Sequence, residues 1–130
     1  MIYLDTSALL KLVLDEPESE ALEGWLAGRP GRPWSCSELV VVEVVRACRR
    51  VDDRAVPAVR ALLAQLDLVP LDRALLDVAA DLPGRHLRSL DAVHLAAAMS
   101  LGKALDVFVA YDARLLEAAQ DARLPVASPA

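Results

Sequence analysis

Short apolar runs alternate with segments of helical periodicity along this chain, and two of the runs stop at an aspartate. Ile2-Tyr3-Leu4 ends at Asp5, and Val107-Phe108-Val109-Ala110-Tyr111 ends at Asp112. Runs this short suit strands. Strands separated by helices need crossover connections, which favour a parallel sheet covered by those helices. The pattern predicts strands at 2–4, 34–36, 68–71, 106–111 and 124–127, the last at an edge. It predicts helices at 6–14, 17–27, 37–50, 55–66, 72–80, 89–101 and 113–122. Thr6, Ser7 and Ser37 are suited to helix caps and Pro17 to a first turn. Residues 28–33 hold two Gly and two Pro and read as a loop, and Leu82-Pro83-Gly84 breaks the chain again. No internal repeat or linker interrupts the alternation. The reading is one α/β domain over residues 1–130, with a central parallel sheet of four to five strands flanked by helices on both faces.

Four carboxylates sit against apolar sequence. They are Asp5, Glu43 inside Leu39-Val40-Val41-Val42-Glu43-Val44-Val45, Asp91 in Leu90-Asp91-Ala92-Val93-His94-Leu95, and Asp112. An ionised carboxylate drawn into a core must be paired, protonated or bound to a metal. Asp5 and Asp112 each follow a strand, so in a parallel sheet both reach the carboxyl edge, where open α/β sheets place their ligand sites. Glu43 and Asp91 fall in early turns of helices that can start near the same edge. A divalent cation site shared by all four is the simplest common solution. Taken singly, each has a plainer role. Asp5 and Asp112 can be helix N-caps. Glu43 can pair with Arg46, and Asp91 with Arg88, at i,i+3 spacing. His94 lies three residues beyond Asp91 and reads as a packed or hydrogen-bonded histidine, with metal ligation the lesser alternative.

Composition narrows the classes. At 55% hydrophobic the chain can build a core, and at 4% aromatic that core must be mostly aliphatic. No apolar stretch approaches a membrane span, and the N-terminus lacks a basic region before its apolar run, so a cytoplasmic location is expected. Cys36 and Cys48 have no CxxC spacing and read as buried thiols in a reducing compartment. A net charge of −5 argues against a plain nucleic-acid binder. Yet twelve of the fourteen basic residues are arginines, the residue suited to bidentate phosphate contact. The apolar first two helices, with Leu9, Leu10, Leu12 and Trp25, read either as core or as a groove for a partner or second subunit.

Four segments carry a resemblance: Leu4-Asp5-Thr6-Ser7-Ala8-Leu9; Glu43 followed by Arg46; Ser89-Leu90-Asp91-Ala92-Val93-His94-Leu95-Ala96-Ala97-Ala98; and Val109-Ala110-Tyr111-Asp112-Ala113-Arg114-Leu115-Leu116. Their order and spacing resemble those of PIN-domain proteins, and especially the VapC toxins of bacterial VapBC toxin–antitoxin modules. The resemblance spans essentially the whole chain. It implies a parallel sheet with an acidic pocket at its carboxyl edge, and Mg²⁺- or Mn²⁺-dependent cleavage of RNA. The family's acids carry over onto Asp5, Glu43, Asp91 and Asp112 as catalytic metal ligands, and its small hydroxyl residue onto Ser7, supporting those ligands. Arg46 and Arg88 are candidates for contact with the RNA backbone. A VapB-type antitoxin is the implied partner, with operator DNA reached only through the antitoxin complex, and a homodimer is expected. Unlike many relatives, no further acid follows Asp112 in its motif, so the resemblance leaves one or two metal ions open. The rival reading is a PIN-like binding subunit that acts mainly through its antitoxin. Phosphotransferase readings fit poorly, since Ser7 stands where a haloacid-dehalogenase-type site needs a second aspartate and no lysine falls between 107 and 116 for a receiver domain.

Overall fold

A computed structural model describes residues 1–130 throughout. Five strands form one sheet: β1 (Ile2–Leu4), β2 (Trp34–Ser37), β3 (Asp67–Val69), β4 (Val107–Val109) and β5 (Val126–Ala127). Their order is β3-β2-β1-β4-β5 and every pairing is parallel. Seven α-helices connect them: α1 (Thr6–Val13), α2 (Ser19–Ala27), α3 (Val40–Val51), α4 (Val56–Leu63), α5 (Arg73–Asp81), α6 (Ser89–Ser100) and α7 (Ala113–Asp121). The expected alternation and parallel sheet are thus present.

The chain winds in two directions from β1. Parallel crossovers are right-handed in nearly all proteins, so moving from β1 to β2 to β3 places α1 to α4 on one face. The return to β4 and on to β5 places α5, α6 and α7 on the other. The packing agrees: α1 contacts α2 and α3, α3 contacts α4, and α6 contacts both α5 and α7. β1 is covered on both faces, and all three of its residues are fully buried. A cluster of 28 buried apolar residues surrounds it. Tyr3 stacks on Phe108 of the neighbouring strand at 5.3 Å between ring centroids.

Several element ends differ from the sequence reading, each for a local reason. Ser37 closes β2 instead of capping a helix, and α3 starts only at Val40. The Ser37 side chain accepts the Leu39 N–H at 3.1 Å, a bond that shapes the strand-to-helix turn. α1 is capped by Asp5, whose carboxylate accepts the Ala8 N–H, so Thr6 and Ser7 lie inside the first turn. α2 begins at Ser19 because the Ser19 hydroxyl accepts the Glu16 N–H and donates to the Leu14 carbonyl, fixing a turn around Pro17. Residues 53–55 form a 3₁₀ turn ahead of α4. β3 runs from Asp67 to Val69 and β5 is two residues long, both shorter or shifted relative to expectation.

Both cysteines are buried free thiols. No helix is long and apolar enough to cross a membrane. The first two helices turn most of their apolar side chains toward the core. The exposed large apolar residues lie elsewhere, with Val41, Val42 and Val51 on α3, Leu76 and Val78 on α5, and Leu90 on α6.

Candidate active site at the carboxyl edge

Asp5 follows β1, Asp112 comes three residues after β4, and Glu43 and Asp91 sit in the first turns of α3 and α6. The four differ sharply in depth. Asp5 is 4% exposed. Glu43 and Asp91 are half-buried, and Asp112 is exposed. The expectation that all four are drawn into the core therefore needs correction at Asp112. That residue caps α7, accepting the Leu115 N–H at 2.9 Å, and stays in water because its helix starts at the surface.

Asp5 is buried and makes no ion pair. Its Oδ1 accepts from the Ser7 hydroxyl at 2.6 Å and from the Ala8 N–H at 2.9 Å. The Ser7 oxygen in turn accepts the Tyr111 N–H, so one hydroxyl links the ends of β1 and β4. Burial pushes the Asp5 carboxyl up to about 6, aided by the nearby Asp91 charge and opposed by those hydrogen bonds. The Asp91 carboxyl is also raised, first by burial and then by Asp112, with Glu43 adding to it and His94 and Arg88 pulling the other way. Asp91 is the common neighbour in this set: its charge acts on Asp5, and those of Glu43 and Asp112 act on it. Crowded carboxylates that repel one another form an electrostatic sink for a cation.

Glu43 behaves differently. Burial pushes its carboxyl up, but hydrogen bonds from His94 and Thr6 outweigh that and hold it below the ordinary range. His94 Nε2 lies 2.7 Å from Glu43 Oε1, and the Thr6 hydroxyl donates to the same oxygen at 2.7 Å. The expected Glu43–Arg46 and Asp91–Arg88 ion pairs are absent. Arg46 and Arg88 are exposed instead, and Glu43 is satisfied by His94 of α6. His94 is thus the packed, hydrogen-bonded histidine that the sequence favoured. Thr6, which the sequence suggests only as a cap, instead lies inside α1 and contacts Glu43. A hydroxyl beside a strand-terminal acid was the available signal.

No three His, Cys, Asp or Glu side chains stand as a finished metal cage. Mg²⁺ does not require one, since it keeps several waters and is held by one or two carboxylates plus substrate phosphate. The donors here are hard oxygens, one of them buried without a counter-charge, and that chemistry fits such an ion. A cavity of about 480 Å³ between residues 82–87 and α7 is lined by none of the four acids.

The chain is similar to known proteins in sequence and in fold. Residues 2–121 match the PIN domain family. The chain is 47% identical over 131 residues to Ribonuclease VapC35 of Mycobacterium tuberculosis, covering 99% of this chain and 97% of that protein. The crystal structure of M. tuberculosis VapC20, described as a Sarcin-Ricin loop cleaving toxin, superposes with a TM-score of 0.77 at 21% identity, over 91% of this chain and 95% of the other. A chain of the Rickettsia felis VapBC2 complex bound to a promoter DNA fragment gives 0.71 at 12% identity, with both chains fully covered.

Proposed function

The chain belongs to the PIN domain family and is a VapC relative, and from that premise we propose that it is the toxin of a toxin–antitoxin pair, a metal-dependent endoribonuclease working at Asp5, Asp91, Glu43 and Asp112. The observation that carries the proposal is the buried Asp5 carboxylate, raised to about 6 with Asp91 beside it and no cation paired to it. Its charge is costly unless a divalent ion is held there.

Asp5 and Asp91 would be the principal ligands, and Asp112 would complete the set directly or through water. A bound Mg²⁺ or Mn²⁺ would supply charge for the scissile phosphate and acidify a water molecule. The protein's own groups do the rest. Ser7 and the Ala8 N–H hold Asp5 in one rotamer. Glu43 keeps a full negative charge, so it can orient a water and accept its proton as the phosphodiester is displaced in line. Exposed Arg46 and Arg88, free of ion pairs, are available to the RNA backbone.

VapC20 is described as a toxin, and the R. felis VapBC2 complex is bound to a fragment of promoter DNA. By analogy we assign this chain an antitoxin partner that blocks the acidic edge and brings it to operator DNA, a second copy of itself, and a cytoplasmic location. Which RNA it cuts is decided by mapping RNA ends after induced expression. Asp91→Asn is expected to erase the new ends while the purified variant keeps its fold by circular dichroism. If the variant cuts at the wild-type rate, the assignment is wrong. If the wild type neither cuts nor binds Mn²⁺, the chain is a binding subunit of its antitoxin complex instead.

A further inference from the structure

Behind the acids, the His94 ring is 2% exposed and lies between two donors and two acceptors. On the Nδ1 side stand the Tyr3 hydroxyl at 2.8 Å and the Cys36 thiol at 3.9 Å. The Tyr3 oxygen already accepts the Ser37 N–H at 3.1 Å, so its own proton is free for Nδ1. A thiol is likewise a weak donor. On the Nε2 side stand Glu43 Oε1 at 2.7 Å and Thr6 Oγ1 at 3.1 Å. Thr6 commits its proton to the same Glu43 oxygen, so toward the ring it offers only lone pairs. Two donors face Nδ1 and two acceptors face Nε2. The neutral imidazole with its proton on Nε2 accepts from Tyr3 and donates to Glu43, whereas the other tautomer sets donor against donor and acceptor against acceptor.

We propose that Tyr3 and His94 are positioning residues that lock the Glu43 carboxylate by a single oxygen, leaving Oε2 for the reacting centre. Oε1 takes both hydrogen bonds, and Oε2 takes none from the chain. The anchor of this relay is rigid. Tyr3 lies in fully buried β1, stacked on Phe108, and its hydroxyl is pinned by the backbone at the end of β2. Two central strands therefore set the orientation of a side chain on α3 through one ring on α6. The proposal rests on the reading of Glu43 as part of the ribonuclease site.

Three substitutions test it: Tyr3→Phe, His94→Gln and His94→Asn. A glutamine amide can stand where Nε2 stands and still donate to Glu43, while an asparagine amide reaches only the Nδ1 position. In the metal-free wild type, long-range ¹H–¹⁵N spectra should find the His94 proton on Nε2, and Tyr3→Phe should mix the tautomers. With Mn²⁺ and RNA, His94→Asn should lower kcat on the order of 10- to 100-fold at unchanged KM, as losses of ligand-orienting groups do, and His94→Gln should recover most of the rate. A proton found on Nδ1 overturns the proposal. So does an equal loss in Gln and Asn that follows their thermal stability, the mark of a purely structural ring. Should the wild type fail to cut RNA, the ribonuclease reading falls separately. The Mn²⁺ affinities of the two His94 variants then decide: tighter binding by Gln supports positioning, and equal binding overturns it.

Discussion

A buried acid without a counter-charge makes Asp5 a place where stability and function oppose each other. In the metal-free protein its carboxyl titrates at about 6, against roughly 3.9 in an unfolded chain. Between those values the folded state holds a proton that the unfolded chain has released. Its contribution to stability therefore falls as pH rises through that window and stays low above it. The shift corresponds to on the order of 2–3 kcal/mol at neutral pH. Asp5→Asn keeps an oxygen able to accept from Ser7 and Ala8 and removes the charge. Urea unfolding at pH 7.5 without metal should show the variant more stable by up to that amount, while RNA cleavage disappears. The gain should shrink as the pH is lowered toward 4. A variant no more stable than wild type at pH 7.5 would show that the Asp5 charge costs the fold nothing.

At the scale of elements, the acids also shape the backbone that carries them. Asp5 and Asp112 start α1 and α7 by accepting the N–H three residues on. The two readings weighed from sequence, cap or ligand, are therefore not exclusive. Asp112 allows them to be separated, because Asn caps about as well as Asp while Ala does not. Asp112→Ala should lose about 1 kcal/mol of stability in thermal or urea unfolding and Asp112→Asn almost none. Both should weaken Mn²⁺ binding alike, since both remove the charge that acts on Asp91. If Asp112→Asn binds Mn²⁺ as wild type does, Asp112 is a cap and nothing more. Local signals of this kind, an acid at the end of an apolar run, were legible in the sequence. What Glu43 touches was not. Spacing placed Arg46 within reach, but its partner is His94, distant in sequence and brought over by the packing of α6 against β2. Ser37 misled for a related reason: its place in β2 depends on pairing with β3, which a single segment does not reveal.

The whole molecule gathers these elements at one point. Strand order reverses at β1, with β2 and β3 on one side and β4 and β5 on the other. Crevices at such switch points are where open α/β sheets bind ligands, and Asp5 stands there, directly after β1. Alternating strands and helices announced the parallel sheet. Only the folded order shows that the deepest acid lies at the reversal, flanked by groups from β4, α3 and α6. A cation bound in that crevice should stabilise the entire fold, by about 2.7 kcal/mol at a concentration one hundred times its Kd. Proton and cation compete for Asp5, whose carboxyl titrates near 6. Mn²⁺ should therefore raise the thermal midpoint much more at pH 7.5 than at pH 5, reversing the loss of stability that deprotonation causes. In Asp5→Asn the shift should be small at both pH values. Equal shifts in variant and wild type would place the ion among the exposed carboxylates instead, away from the switch point that the fold provides.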